Sequence, residues 1–122
     1  MLVDSFAAKS PPQVRDVNRL RGYMYVGMAL ARAGEADSAR SVLLAGRAGT
    51  DIDPLRELAL LESIGRTTLG DVDEAVRQLS VYFAANPGTM DGYRAQGGSG
   101  ELPWYHQALL KEPRFRSLVG LR

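Results

Sequence analysis

The chain carries an internal repeat with an offset of 36 residues, and this repeat restricts the folds that are open to it. Residues 34–43 share glycine, aspartate, alanine and leucine with residues 70–79 at the same relative places. The recurring positions are Gly34 with Gly70, Asp37 with Asp73, Ala39 with Ala75, and Leu43 with Leu79. Self-similarity at a period of about 20–50 residues is typical of stacked helical repeats, in which neighbouring units bury each other's apolar faces. The sequence therefore predicts two similar helical units packed side by side.

The apolar spacing between the glycines and prolines is helical along most of the chain. A first helix is predicted from Ser10-Pro11-Pro12 up to Gly34, because a hydroxyl cap followed by proline is a helix start. Three more are predicted: one after Gly34 that ends near Gly46, one over 55–69 that Asp53-Pro54 begins, and one from Val72 that Asn86-Pro87-Gly88 ends. No stretch alternates with a period of two for long enough to predict a strand, so the fold class is all-α.

Changes in composition divide the 122 residues into four segments. We expect an N-terminal tail over 1–10, two helix hairpins over 11–87, a flexible glycine-rich loop over 88–102, and C-terminal capping helices over 103–122. The loop is predicted because glycine-rich runs such as 97–100 behave as flexible linkers.

The repeated units resemble the tetratricopeptide repeat (TPR) family. Matching positions are Tyr23, Val26, Gly27, Leu30, Gly34, Ala39 and Leu43 in the first unit, and Ser63, Gly70, Ala75, Leu79, Tyr82 and Pro87 in the second. The resemblance covers about residues 20–87. It implies antiparallel helix hairpins stacked as a short right-handed solenoid with a C-terminal capping segment. Glu62 and Arg66 depart from the family pattern, which usually has large apolar residues there. The segment 104–118 is similar to the end of TPR arrays in some bacterial regulators.

The resemblance also implies a binding surface, because TPR arrays usually present the first helix of each pair to a concave groove. The matching residues are Arg21, Met24, Met28 and Arg32 in the first unit, and Glu57, Leu60, Ile64 and Thr67 in the second. Family members that bind chaperone C-termini have lysines and asparagines there, so Met24 and Met28 argue against that ligand class. Methionine and leucine make an adaptable apolar surface, and we expect it to bind an apolar or helical segment of another protein.

The predicted first helix is apolar on every side over 23–31, so every side of it has to be covered. One side packs on the second helix, while a partner protein, a second copy or the C-terminal segment covers the other. Two repeats are also fewer than the roughly three that an array normally needs. We therefore expect Trp104, Phe115 and Leu118 to fold back as a cap, with homodimer formation as the alternative.

The sequence offers little for catalysis or metal binding, and no cofactor is predicted. It has no cysteine, and its one histidine, His106, is interpreted as a surface or interface residue on a short helix. Asp51 and Asp53 lack further oxygen ligands at calcium-loop spacing and are predicted to cap the third helix, as Asp71 is predicted to cap the fourth. The run 97–100 lacks the lysine of a phosphate loop, and no serine has a base or a nucleophile-elbow pattern nearby.

The formal net charge of +1 gives no electrostatic case for nucleic acid or an anionic membrane as a partner. Residues 1–10 lack the cationic start and apolar run of a signal peptide, so we expect a cytoplasmic protein. The leading hypothesis is a non-enzymatic scaffold or adaptor that binds a polypeptide segment in its helical groove. The alternative is a structural or oligomerisation element, such as the C-terminal part of a larger regulator, whose groove is filled by its own tail or by a second copy.

Overall fold

The computed structural model describes residues 12–121, with side chains from residue 16 onward, and it confirms the all-α fold. This part of the chain consists of helices and turns and contains no strand. Its helices are α1 (Pro12–Arg32), α2 (Ala36–Ala45), α3 (Glu57–Leu69), α4 (Val72–Ala85), α5 (Pro87–Gly98), a 3₁₀ helix (Trp104–Leu109) and α6 (Pro113–Val119). The predicted N-terminal tail over 1–10 lies outside the described residues.

Both predicted glycine breaks lie between helices, as the repeat requires. Gly34 has φ 81° and Gly70 has φ 80°, a left-handed conformation that glycine adopts without the steric cost of a Cβ atom. Residues 33–35 connect α1 to α2, and residues 70–71 connect α3 to α4. Connections this short make the joined helices antiparallel neighbours, and each pair packs together. The described chain therefore contains two helix hairpins.

The hairpins meet mainly through their first helices, α1 and α3. Leu43 of α2 is completely buried at this junction, in a cluster with Met24, Leu58 and Leu61. A Cβ atom built on Gly27 of α1 would lie 2.6 Å from Leu43 Cδ2, and one built on Gly65 of α3 would lie 3.1 Å from Leu43 Cδ1. The missing side chains of these two glycines make room for the leucine between the helices.

A second, larger cluster joins α4 to the C-terminal elements. Its buried members are Ala75, Val76, Leu79, Phe83, Tyr93, Leu102, Leu109, Phe115 and Val119. Phe115 is completely buried, and burial of a side chain of this size contributes about 1.5–3 kcal/mol. Leu118 packs against the edge of the cluster. The C-terminal segment therefore covers the second hairpin, as expected for Phe115 and Leu118.

The flexible loop predicted over 88–102 is wrong for most of its length, because α5 extends over Pro87–Gly98. The residues that end α4 also begin α5, since proline suits a first helical turn, where no amide donor is needed. Glycine lowers helix propensity, but Tyr93 and Gly97 are buried against the C-terminal cluster. A Cβ atom on Gly97 would lie 2.6 Å from Leu121 Cδ1, so this glycine allows close packing. Tertiary packing here outweighs local propensity.

The third helix begins at Glu57, two residues later than predicted. Asp53 nevertheless caps it: Oδ1 accepts a hydrogen bond from the Glu57 amide at 3.0 Å, and Oδ2 accepts one from the Leu58 amide at 2.9 Å. The residue before the helix, Arg56, has φ 57°, which is the one positive φ of a non-glycine residue in the described part of the chain.

Candidate binding surface

The predicted groove residues of the two units lie along α1 and α3, which pack side by side. Arg21 donates from Nε and Nη2 to Oε1 and Oε2 of Glu57, at 3.1 and 3.0 Å. Met28 and Ile64 are half-buried, and both pack against the cluster around Leu43. Arg21 with Glu57, and Met28 with Ile64, occupy equivalent positions of the 36-residue repeat. The structure therefore places these four predicted residues on two helices that pack side by side.

Met24 does not lie on the exposed surface of the predicted groove, and its predicted place there is wrong. Its side chain is 0% exposed and belongs to the hydrophobic core. A Cβ atom on Gly46 would lie 3.1 Å from Met24 Sδ, so the methionine fills the space beside this glycine. The sequence showed that α1 is apolar on all sides, but spacing alone did not identify the side that faces α2.

Leu60 and Thr67 lie on α3, the helix that contacts the 3₁₀ helix of the C-terminal segment. Leu60 is half-buried and packs against the larger cluster. Thr67 is also half-buried, and its hydroxyl donates to the backbone oxygen of Ser63 at 2.7 Å. The hydroxyl of Thr67 is therefore already engaged.

An aromatic residue from the 3₁₀ helix lies at the C-terminal end of α1. The guanidinium carbon of Arg32 lies 5.5 Å from the centroid of the Trp104 ring, within the range of a cation–π contact. The 3₁₀ helix packs on α3, so Trp104 links the C-terminal segment to both first helices. Trp104 is 73% exposed, and its predicted burial in the cap is therefore wrong. His106, from the same helix, is buried in its place.

Tyr25 belongs to the same surface, although the resemblance did not point to it. On an α-helix, residues at i, i+4 and i+7 share one face, which places Tyr25, Ala29 and Arg32 together on α1. Tyr25 is 54% exposed and is one of four large hydrophobic residues exposed in the described chain, together with Leu44, Leu55 and Trp104. The sequence signal for Tyr25 was its position four residues after Arg21, which places both residues on one face of the helix. We call the surface of Tyr25, Met28, Arg32, Ile64 and Trp104 the aromatic face.

A buried hydrogen-bond network ties the C-terminal segment to the second hairpin. His106 was interpreted as a surface or interface residue; it is 0% exposed, so the surface interpretation is wrong. Its Nε2 lies 2.9 Å from Ser63 Oγ, and its Nδ1 lies 2.8 Å from the Tyr93 hydroxyl. Burial lowers the pKa of His106 to about 4 and raises the pKa of Tyr93. The expectation that no serine has a base nearby is also wrong, because His106 contacts Ser63. The two residues are 43 apart in sequence, so no local pattern predicted the contact.

The donors of this network fix its protonation. Ser63 donates its single hydroxyl proton to the backbone oxygen of Leu60 at 2.6 Å, so its Oγ accepts from His106 Nε2–H. His106 Nδ1 therefore accepts from the Tyr93 hydroxyl, and the imidazole is neutral. Since Ser63 and His106 are both completely buried and all their polar atoms are engaged, this serine–histidine pair acts as a structural connection.

Ion pairs connect α3 and α4 to the segment that follows α2, on the side of α3 opposite the aromatic face. Glu62, which is completely buried, accepts from Nε and Nη2 of Arg47, both at 2.7 Å, and from Nε of Arg66 at 3.1 Å. Arg66 also donates to Asp71 at 3.0 Å, and Arg47 to Glu74 at 2.6 Å. Burial of these charged residues is tolerated because each buried charge has a partner of opposite sign.

The prediction that Asp71 caps α4 with its side chain is wrong. The Asp71 carboxylate binds arginines instead. Its two carboxylate oxygens accept from Nε and Nη2 of Arg40, both at 2.9 Å. This bidentate contact holds the pKa of the Asp71 carboxyl below its ordinary value. Arg40 thereby extends the ion-pair network to the exposed side of α2.

These features define an all-helical domain of two hairpins with a docked C-terminal segment and an exposed aromatic face. Comparison with family models, curated proteins and solved structures finds no match to the chain. Among the described helices, none has the length and apolarity to span a membrane. The side chains described include no group of three histidine, cysteine or acidic residues that could hold a metal ion.

Proposed function

We propose that the chain is a non-catalytic protein-interaction module whose hairpins stack in the manner of tetratricopeptide repeats, and that the aromatic face binds a segment of another polypeptide. The observation that carries the proposal is the exposure of two large aromatic residues: Tyr25, on the face of α1 that also carries Arg32, and Trp104, which contacts Arg32. Large aromatic side chains and arginine dominate the binding energy of protein interfaces, whereas a folded chain gains nothing from leaving them in water.

The chemistry of the face favours an apolar, helical segment as the occupant. Met28 and Ile64 provide a flexible apolar floor between the two helices, and Trp104 bounds it at one end. Arg21 and Glu57 neutralise each other at the opposite end, so the floor has no uncompensated charge there. An amphipathic helix that presents apolar residues at a spacing of three and four fits such a surface.

The test is selection of helical peptides on the folded chain, followed by calorimetric titration of the selected peptides. Tyr25→Ser and Trp104→Ser are each expected to weaken binding at least tenfold, as loss of an aromatic anchor does. Leu44→Ser is the matched control, because Leu44 is 51% exposed but lies on α2, outside the aromatic face. Equal losses in all three variants, or no loss with Tyr25→Ser and Trp104→Ser, would contradict the proposal.

The alternative, a structural element whose groove is occupied within the molecule or by a second copy, is favoured by the docked C-terminal segment. Phe115 is completely buried against the second hairpin, and Trp104 already contacts Arg32. Sedimentation equilibrium distinguishes the two versions of this alternative. A dimer that Tyr25→Ser dissociates and Leu44→Ser leaves intact would show that a second copy covers the aromatic face.

A further inference from the structure

A cleft of about 660 Å³ opens on the opposite side of α3 from the aromatic face. Leu58, Ala59 and Val81 contribute apolar groups to it, and Arg56 and Arg77 stand among its lining residues. Its volume lies in the range of small-molecule sites, which combine an apolar lining with a few polar groups that orient the ligand.

The carboxylates at the cleft are already engaged. Asp53 accepts from two backbone amides at the start of α3, and Glu62 accepts from Arg47 and Arg66. A cation entering the cleft would therefore have to displace existing hydrogen bonds. The cleft is not prepared for a metal ion or an amine.

Two arginines retain unused donors. Arg56 donates from Nη1 to the backbone oxygen of Ala48 at 3.0 Å, and its Nε and Nη2 have no partner within residues 16–121. Arg77 is 66% exposed and forms an ion pair with Glu74 from Nε at 3.4 Å. Its terminal nitrogens form no hydrogen bond within residues 16–121. Each guanidinium therefore has hydrogen-bond donors for an anion.

The backbone at Arg56 supports a specific role for this side chain. Its φ of 57° and ψ of 32° lie in the left-handed region, which costs a non-glycine residue about 1–2 kcal/mol. Glycine or asparagine would adopt this conformation at lower cost. The bond to Ala48 fixes the strained arginine in one orientation at the cleft, which reduces the entropy lost when it binds a ligand.

We infer that this cleft binds a small organic monocarboxylate with a compact apolar group. A guanidinium matches the planar fork of a carboxylate, and Leu58, Ala59 and Val81 cover the apolar group. A phosphate dianion fits less well, because Glu62 and Glu74 bring negative charge close to Arg47 and Arg77. The site is distinct from the aromatic face and does not depend on the function proposed for that face.

The inference is tested by titrating the protein with 4-methylpentanoate while amide NMR signals are recorded. Ala59 and Val81 are expected to shift, with a millimolar dissociation constant, and the neutral 4-methylpentanamide is expected to bind at least tenfold more weakly. Arg56→Gln and Arg77→Gln should each weaken binding about tenfold. Arg77→Gln removes no backbone contact, so it remains informative if Arg56→Gln unfolds.

The matched control is Arg114→Gln, since Arg114 is 69% exposed, pairs with Asp73 and does not line the cleft. It should leave binding unchanged, as should Tyr25→Ser, whose side chain lies on the aromatic face. The inference is overturned if the amide binds as tightly as the acid, if inorganic phosphate binds more tightly, or if Arg77→Gln has no effect. Binding only of a peptide that ends in leucine, and not of the free acid, would also overturn it.

Discussion

At the scale of single residues, His106 determines how the C-terminal segment is attached. One imidazole ring receives a hydrogen bond from α5 through Tyr93 and donates one to α3 through Ser63. Neither contact is adjacent in sequence, and both are buried. Because the ring accepts at Nδ1, adding a proton there would place two donors face to face.

This geometry predicts a loss of stability in mild acid. Above pH 6.5 His106 is neutral in both the folded and the unfolded chain, so it imposes no penalty. Below pH 6.5 the unfolded chain takes up a proton that the folded chain, with a pKa of about 4, does not. The free energy of unfolding should therefore fall by up to about 1.4 kcal/mol per pH unit between pH 6.5 and 4.

Chemical denaturation at several pH values measures this slope. His106→Gln is the comparison, because glutamine does not titrate. Its stability should be lower at neutral pH but nearly constant from pH 6.5 to 5. The same slope in both proteins would show that other groups cause the acid sensitivity.

The residue scale also shows where sequence reasoning failed. The apolar pattern over 23–31 predicted a helix covered on all sides, but Tyr25 and Ala29 of α1 are exposed. A pattern that is apolar on all sides does not show which side is buried, and Met24 was placed on the wrong side. The environment of His106 depends on Ser63, which lies 43 residues earlier, and no local pattern reports such a contact. For the same reason, Trp104 was predicted to be buried but is exposed, and the buried position of His106 was not predicted.

At the scale of elements, the two hairpins are held together by the position of Leu43 between α1 and α3. The side chain is completely buried, and glycines approach it from both sides. It therefore cannot move away from one helix without colliding with the other.

Gly27→Ala should consequently be destabilising even though alanine favours helices. The added Cβ would lie 2.6 Å from Leu43 Cδ2, and overpacking of this kind costs about 1–3 kcal/mol. Gly92→Ala provides the contrast, because Gly92 is exposed within α5 and nothing lies within 4 Å of an added Cβ. That variant should be stabilised by about 0.5–1 kcal/mol.

Thermal unfolding followed by circular dichroism compares the two variants. Equal effects in both would mean that Leu43 is free to move, contrary to the packing described. The elements themselves were largely predictable, since Gly34 and Gly70 mark the turns between α1 and α2 and between α3 and α4. The helix α5 was not, because its glycines favour a loop locally and only the packing of Tyr93 and Gly97 compensates.

At the scale of the whole molecule, the ion-pair network joins the hairpins on the side away from the aromatic face. Arg40 lies in α2 of the first hairpin and Arg47 follows that helix, while Glu62, Arg66 and Asp71 belong to the second hairpin. No buried side-chain nitrogen or oxygen in residues 16–121 lacks a hydrogen-bond partner. In the sequence, Glu62 and Arg66 stand where an apolar pattern was expected. Their ion-pair partners Arg47 and Asp71 could be identified only from the structure.

Removal of one member should therefore cost more than a surface ion pair does. Glu62→Gln removes the buried negative charge that pairs with Arg47 and Arg66 and replaces one acceptor oxygen with a donating NH₂ group, so it is expected to lower the free energy of unfolding by about 3 kcal/mol. Asp91→Asn is the matched control, since Asp91 and Arg94 form an exposed pair at 3.2 Å. Its effect should stay within about 0.5 kcal/mol. Equal effects, measured by denaturant titration, would contradict a structural role for the network.

The exposure of Trp104 has a practical consequence for work on this chain. It is the sole tryptophan, and it remains in water in the folded state. Its fluorescence should change little when the protein unfolds, but it should shift to shorter wavelength and become shielded from soluble quenchers when the aromatic face is covered. The chain thus carries an intrinsic optical reporter that distinguishes occupancy of this surface from loss of the fold.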